Sequence, residues 1–287
     1  MRIAVTGANG QLGSELCRRL GDDAVPLTRP SFDLVRNDEV VRTLRDCRPD
    51  AVINAAAFTA VDQAEREPNL CHETNAQAVK NLVEACRQLN CPLVQLSTDY
   101  VFGADASRRE LYRETDPARP LSVYGRSKLK GENHAAMWPK HFIVRTCGLY
   151  GRPNSARPPR NFVDKMLALA QDRTKIEVIA DQHCTPTYIP HLAEAILFLI
   201  QTEAYGIYHV TNSESTTWHQ FATEIFHALD MPITVKKTTS VQFNSLATRP
   251  AYSVLDTTKY HDLSGPRMPN WRDAVRTALI TSSFSDR

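Results

Sequence analysis

Tyr124 and Lys128, in the string Tyr124-Gly125-Arg126-Ser127-Lys128, are the pair in this chain best suited to moving a proton. Four residues apart, they share one face of a helix. A free tyrosine titrates near ~10, too high to exchange protons readily at neutral pH. A nearby ammonium favours the phenolate and is expected to lower that value. The phenol then becomes a usable general acid or base. An ordinary surface helix can carry the same spacing, so the pair matters only if other segments bring a substrate and a redox cofactor to it.

The first segment that could do so opens the chain. Arg2–Thr6 reads as a short strand, Gly7-Ala8-Asn9-Gly10-Gln11-Leu12-Gly13 as a glycine-rich turn, and Ser14–Leu20 as a helix. In that context the three glycines have separate uses: Gly7 for the turn, Gly10 for close approach to a pyrophosphate, Gly13 for helix–strand packing. Asn9, Gln11 and Leu12 lie between them at a helix N-terminus, whose free N–H groups and partial positive charge suit phosphate. Ala24–Leu27 is the second strand. An acid at its end would favour NAD, but Thr28-Arg29 stands there, and a guanidinium suits a 2′-phosphate. NADPH is therefore the expected cofactor, with NADH the alternative. Asp33 and Leu34 follow, placed to meet the adenine edge.

Asn37–Cys47 reads as a helix and Ala51–Asn54 as the third strand. The small residues Ala55, Ala56 and Ala57 then leave room for a cofactor across the sheet edge. Val61–Glu65 begins a short helical turn. Leu70–Leu89 reads as one long amphipathic helix, with Asn75 either solvated or bracing the site from behind. Leu93–Leu96 is the fourth strand and runs into Ser97-Thr98-Asp99-Tyr100. The polar loop 104–119 is expected to be mobile near an entrance. Ser122–Met137 is the helix that carries Tyr124 and Lys128, and His141–Arg145 is the next strand. Beyond Gly151 the composition shifts to prolines and arginines over Arg152–Arg160, the expected crossing into a substrate-binding region. Helices are expected over Asn161–Gln171, Pro190–Thr202, Thr217–Leu229 and Trp271–Thr281, and strands over Ile176–Ile179 and Gly206–Val210. Residues 230–265 read as irregular.

Bulk properties exclude several classes. The chain has 287 residues and a formal net charge of +2, with no basic run to suggest nucleic acid. No apolar stretch approaches the ~20 residues that span a bilayer, and the N-terminus has no secretory pattern. Seven cysteines without Cys-x-x-Cys spacing read as free thiols in a reducing cytoplasm rather than a zinc site. His183 and His191, eight apart, read as loop and helix-start residues rather than metal ligands.

Taken together, Thr6-Gly7-x-x-Gly10-x-x-Gly13, Asn54-Ala55-Ala56, Ser97-Thr98-Asp99 and Tyr124-x-x-x-Lys128 resemble the extended short-chain dehydrogenase/reductase superfamily. Longer strings narrow the resemblance to the dTDP-4-dehydrorhamnose reductases. They are Val52-Ile53-Asn54-Ala55-Ala56-Ala57-x-Thr59-Ala60-Val61-Asp62-x-Ala64-Glu65, Ser97–Phe102, Asp181-Gln182 with Pro186-Thr187, and Arg249-Pro250. The resemblance implies an α/β fold: a Rossmann-type doubly wound parallel sheet with a smaller C-terminal α/β substrate domain. The first domain would cover 1–150 with return segments near 190–212, the second 151–189 and 213–287. It also implies NAD(P)H-dependent reduction of a 4-keto sugar nucleotide, completing dTDP-L-rhamnose.

Carried over by position, Thr98, Tyr124 and Lys128 match the catalytic triad. The cofactor would be held by the glycine loop, Arg29, Asp33, Leu34, Ala55–Ala57, Thr59, Tyr124 and Lys128. Val61, Asp62, Thr98, Asp99, Tyr100, Gln182 and Arg249 would meet the sugar nucleotide, with Arg249 on its diphosphate. The partner is thus a small molecule, with no nucleic acid and no membrane, and the resemblance allows a homodimer. Tyr100 stands where related 4,6-dehydratases carry a glutamate, which disfavours elimination. A 4-epimerase with retained NAD, and a non-catalytic regulatory subunit of the methionine adenosyltransferase type, are the alternatives. The chain departs from the family at Gly148, where a tryptophan is usual and Tyr150 is a candidate replacement. The Arg152–Arg160 stretch is longer than the family pattern. At the positions where some members hold magnesium between subunits stand Glu15 and Pro190, so no tight magnesium site is expected.

Overall fold

The computed structural model describes residues 1–151 and 161–280. Five parallel strands appear in chain order: β1 (Ile3–Thr6), β2 (Ala24–Leu27), β3 (Ala51–Asn54), β4 (Leu93–Thr98) and β5 (His141–Thr146). With Gly206–His209 they form one six-stranded sheet, β2-β1-β3-β4-β5 and then Gly206–His209 at the edge. Every pairing is parallel. Such sheets are covered on both faces, so their strands read as nearly continuous apolar runs.

Alternate residues serve opposite faces. Ile3, Val5, Ile53 and Val94 pack beneath α1 (Gln11–Leu20) and the Ile189–Leu199 helix. Ala4, Val52 and Leu93 pack against Val40, Leu44 and Leu82 from the helices Asn37–Cys47 and Ala78–Leu89. A third cluster, with Tyr150, Phe221 and Trp271 at its centre, joins the helices Phe162–Ala170, Trp218–Ala228 and Trp271–Ile280 to the strand Lys175–Ile179. The order of the main sheet reverses between β1 and β3, and ligands of open α/β sheets bind at the carboxyl ends of the strands flanking such a reversal.

Three expectations need correction. The stretch expected as one helix over 70–89 is Pro68–His72, a π-turn over Glu73–Gln77, and Ala78–Leu89. π-turns often sit at functional sites, and this one contains Asn75. Residues 230–265 are not all irregular. Thr234–Thr238 pairs in parallel with Lys175–Ile179, and Thr258–Ser264 is helical. The strand was hidden because its alternation is muted by exposed lysines on a two-stranded sheet. The 104–119 loop is anchored: Tyr112 stacks on Phe102 at 4.2 Å, and Arg108 pairs with Asp116 at 2.8 Å. The Arg152–Arg160 stretch lies outside the described residues.

Candidate active site

The helix Val123–Ala135 presents Tyr124 and Lys128 toward the end of β4. It starts where Ser122 caps it, the Ser122 hydroxyl accepting from the Gly125 N–H at 3.1 Å. Glu65 accepts from the Val123 N–H at 2.8 Å, fixing the helix start against the Val61–Arg66 helix. Asn75 braces the same turn from behind. Its amide donates to the Ser127 hydroxyl at 2.9 Å and the Phe58 carbonyl at 3.0 Å, and its oxygen accepts from the Phe58 N–H at 2.8 Å. The bracing alternative for Asn75 is the one the geometry shows.

Thr98 ends β4, in register with Thr146 of β5. Its hydroxyl accepts from the Tyr100 N–H at 3.2 Å, donates to Asp99 Oδ1 at 3.2 Å, and lies near enough to the Tyr124 phenol to influence it. Burial pushes the Tyr124 phenol above its ordinary value; the Thr98 hydroxyl opposes this and the Asp99 charge adds to it. The expected lowering by Lys128 is therefore overturned. Desolvation dominates the shift, and one N–H of the Lys128 ammonium is engaged elsewhere, donating to the Leu96 carbonyl at 2.6 Å. A phenol that stays protonated at neutral pH is the form a proton donor needs. Lys128 is itself buried, which pulls it down to about 8 against the upward pull of Glu132.

Two buried polar networks hold this arrangement. In one, Gln95 also donates to the Leu96 carbonyl, at 2.7 Å. Its oxygen accepts from Asn54 at 2.7 Å, and Asn54 Oδ1 accepts from the Thr6 hydroxyl at 2.6 Å. The lysine is thus tied through three strands to the residue before Gly7. In the other, Arg145 donates twice to Glu132, at 2.9 and 2.7 Å, and Ser97 donates to the same carboxylate at 2.5 Å. His209 lies 3.3 Å from Arg145, and burial followed by that guanidinium pulls its imidazole down to about 3, so the ring is neutral. Such satisfied networks fix one side-chain arrangement.

The crevice between β1 and β3 is lined by glycines and small residues. Gly7 has φ +65°, and a Cβ there would lie 2.7 Å from the Ala56 nitrogen. Gly10 caps α1 and makes no side-chain cap hydrogen bond. These features, with the half-buried Ala55–Ala57, fit a pyrophosphate and nicotinamide lying across the edge. Asn9 and Thr59 are exposed beside the crevice. The side chains of the other expected cofactor residues lie as follows. Leu12 and Leu34 are buried in the two cores flanking the sheet, and Gln11 accepts from Asn161 at 2.7 Å. Asp33 is partly exposed and its oxygen accepts from the Val35 N–H. Arg29 is exposed and precedes a cis peptide bond to Pro30.

On the far side of Tyr124, Arg249 pairs with Asp62 at 2.6 Å and lies near Tyr100, whose ring meets Tyr124 edge-on at 6.0 Å. The expected diphosphate donor and the expected sugar-pocket acid are thus each other's partners. Val61 is half-buried beside them, and Gln182 is buried. Asp99 faces inward: Ser253 donates to its Oδ2 at 2.6 Å, and the Cys147 thiol is a near neighbour of the carboxylate. Burial pushes it up to about 6. Tyr150 does not fill the space at Gly148; it is fully buried in the third core. Trp218 does, its ring tip 2.9 Å from where a Cβ at residue 148 would stand.

The family model described as RmlD substrate binding domain matches residues 1–283. The chain belongs to that family. Among its relatives is a dTDP-4-dehydrorhamnose reductase of Sinorhizobium fredii, 38% identical with 96% of each chain covered. A probable dTDP-4,6-dihydroxy-2-methyloxan-3-one 4-ketoreductase of Streptomyces antibioticus is 39% identical, covering 97% of this chain and 95% of its own. A crystal structure of dTDP-4-dehydrorhamnose reductase from Bacillus anthracis in complex with NADP matches at TM-score 0.92 and 37% identity, over 98% of this chain and 99% of that one.

In this RmlD-family chain Glu15 is occupied: Arg18 and Arg19 both donate to its carboxylate, at 2.8 and 2.7 Å, and hold its carboxyl below the usual range. Among the described residues no group of three or more His, Cys, Asp or Glu is arranged to hold a metal ion. His183 is exposed and its carbonyl accepts from Ser253. His191 meets Asn212 at 3.0 Å and is pulled down by burial. Gln95, Glu132, Arg145 and Ser253 escaped sequence reasoning. For Gln95 the signal was available: one amide inside the apolar β4 run needs buried partners.

Proposed function

We propose that the chain reduces the 4-keto group of a dTDP-activated 6-deoxyhexose with NADPH, most directly dTDP-4-dehydro-L-rhamnose to dTDP-L-rhamnose. The observation that carries this is the meeting of Thr98, Tyr124 and Lys128 at one strand end beside the β1/β3 crevice. The relatives' names and the NADP in the Bacillus anthracis complex support it.

A reduced nicotinamide bound in the crevice would supply the hydride. Tyr124, protonated, donates to the oxygen that becomes the alcohol. Thr98 hydrogen-bonds the phenol and stabilises the tyrosinate left behind. Lys128 adds positive charge on the same helix face and offers its remaining N–H donors to the cofactor ribose. Positioned proton transfer of this kind contributes typically ~10²–10⁴-fold. Arg29 is the group assigned to a 2′-phosphate, and hence to NADPH over NADH. In this reading residues 1–150 with 190–212 hold the cofactor, while 151–189 and 213–287 hold the sugar nucleotide. The cysteines described are free thiols, which suits a cytoplasmic enzyme. A homodimer is the assembly proposed, to be checked by sedimentation.

The test is NADPH consumption by the purified chain against a panel of nucleotide 4-keto-6-deoxyhexoses. Turnover is expected with the dTDP-linked sugar. No consumption with any member of the panel would overturn the proposal.

A further inference from the structure

The Thr98 hydroxyl has one proton and three neighbours. The Tyr100 N–H points at its oxygen, Asp99 Oδ1 lies 3.2 Å away, and the Tyr124 phenol is the third, close enough for Thr98 to favour its charged form. A hydroxyl donates once. While Asp99 is a carboxylate it accepts that proton, so toward the Tyr124 phenol Thr98 offers only an acceptor. The phenol proton is then directed away from the substrate, and a negative charge stands behind a site where negative charge develops. A proton on Asp99 reverses both effects. Oδ2 is already taken by the Ser253 hydroxyl at 2.6 Å, so the proton sits on Oδ1 and points at Thr98. Thr98 is then free to donate toward the tyrosyl or substrate oxygen.

We propose that Asp99 is a positioning residue that sets the direction of the Thr98 hydroxyl, and that its protonated form is the one that supports turnover. The inference rests on the reductase reading of the same site. Nothing is consumed: the proton on Asp99 is exchanged with solvent between turnovers, and the proton delivered to the alcohol comes from Tyr124. The titratable groups facing Asp99 are Tyr124 from the helix, Tyr100 from its own turn and Cys147 from the end of β5, with Cys184 behind Cys147. Burial raises Tyr124, Tyr100 and Cys147, so these three are neutral at pH ~7, and the nearest cation in this set, Arg249, acts through Tyr100. Burial, unopposed by a direct cationic partner, brings the Asp99 carboxyl into the neutral range, at about 6.

The experiment is the pH profile of kcat for wild type, Asp99→Asn and Ser253→Ala. Wild type should fall about fivefold between pH ~6 and ~7. In Asp99→Asn the amide oxygen takes the Ser253 donor and the –NH₂ faces Thr98, which mimics the protonated acid. That variant should be level over this range and at least as fast as wild type at pH ~7, with NADPH affinity unchanged. Ser253→Ala removes a donor that favours the carboxylate, so its fall should move to higher pH. A level wild-type profile, the same fall in Asp99→Asn, a slower Asp99→Asn at every pH, or an unmoved Ser253→Ala profile would overturn the proposal. Absence of wild-type turnover on every sugar tried would instead overturn the reductase reading.

Discussion

Lys128 and Gln95 donate to one carbonyl, that of Leu96, at 2.6 and 2.7 Å. One of the three ammonium protons is thereby fixed, which orients the other two. Burial brings the group to about 8, so its charge is lost as pH rises through that value. The lysine must be charged to stabilise a tyrosinate. Turnover should therefore fall above pH ~8, a second step beyond the Asp99 one. Because both steps lose a proton from the active form, the profile descends twice rather than forming a bell. The Asp99→Asn variant isolates the second step. A profile in that variant that stays level to pH ~10 would count against Lys128.

Tyr124→Phe removes the donor while leaving the ring in its contact with Tyr100. We expect kcat to fall ~10²–10⁴-fold, with NADPH affinity by fluorescence titration nearly unchanged. Near-wild-type turnover would rule out Tyr124 as the donor.

Glu132 and Arg145 form a bidentate pair whose side chains are 3% and 4% exposed. Removing one partner strands a buried charge. Arg145→Met should cost about 3–5 kcal/mol of stability in denaturant unfolding. Arg145→Met with Glu132→Gln should recover part of that loss, since no charge is then left unpaired. Equal stability of the two variants would show that Ser97 alone satisfies Glu132.

What the sequence disclosed and what it hid divide along physical lines. The Asn37–Cys47 helix and the Ala51–Asn54 strand were legible to the residue because their patterns repeat at one period between clear breaks. The Tyr124/Lys128 pair and Gly7–Gly13 were legible because local spacing alone defines them. Partnerships between distant segments were not. Asp62 and Arg249 are 187 residues apart, and nothing in either neighbourhood announces that they pair. The direction of the Tyr124 shift depended on how deeply the phenol is desolvated and on where the lysine proton goes, which only the packed structure decides.

Gly148 and Trp218 show how such a distant contact can be tested. Gly148 has φ +50°, and a Cβ there would meet Trp218 at 2.9 Å. Gly148→Ala therefore carries two penalties, one for the left-handed backbone, roughly 1–2 kcal/mol, and one for the contact. Trp218→Ala also costs stability, because its ring packs on Phe162 at 4.7 Å. In the double variant the contact penalty vanishes while the backbone penalty remains. The double should be less destabilised than the sum of the singles, by about 0.5–3 kcal/mol for touching residues. Strict additivity in denaturant unfolding would mean that the glycine is required by its backbone angle alone. The same variants read the pocket. Trp218 is partly exposed beside the strand end that carries Thr146, the register partner of Thr98. Trp218→Ala should thus raise the KM for the sugar nucleotide several-fold, consistent with loss of one aromatic wall at about 1 kcal/mol, and leave the KM for NADPH in place. An unchanged sugar-nucleotide KM would place Trp218 in the packing of the third core and outside the pocket.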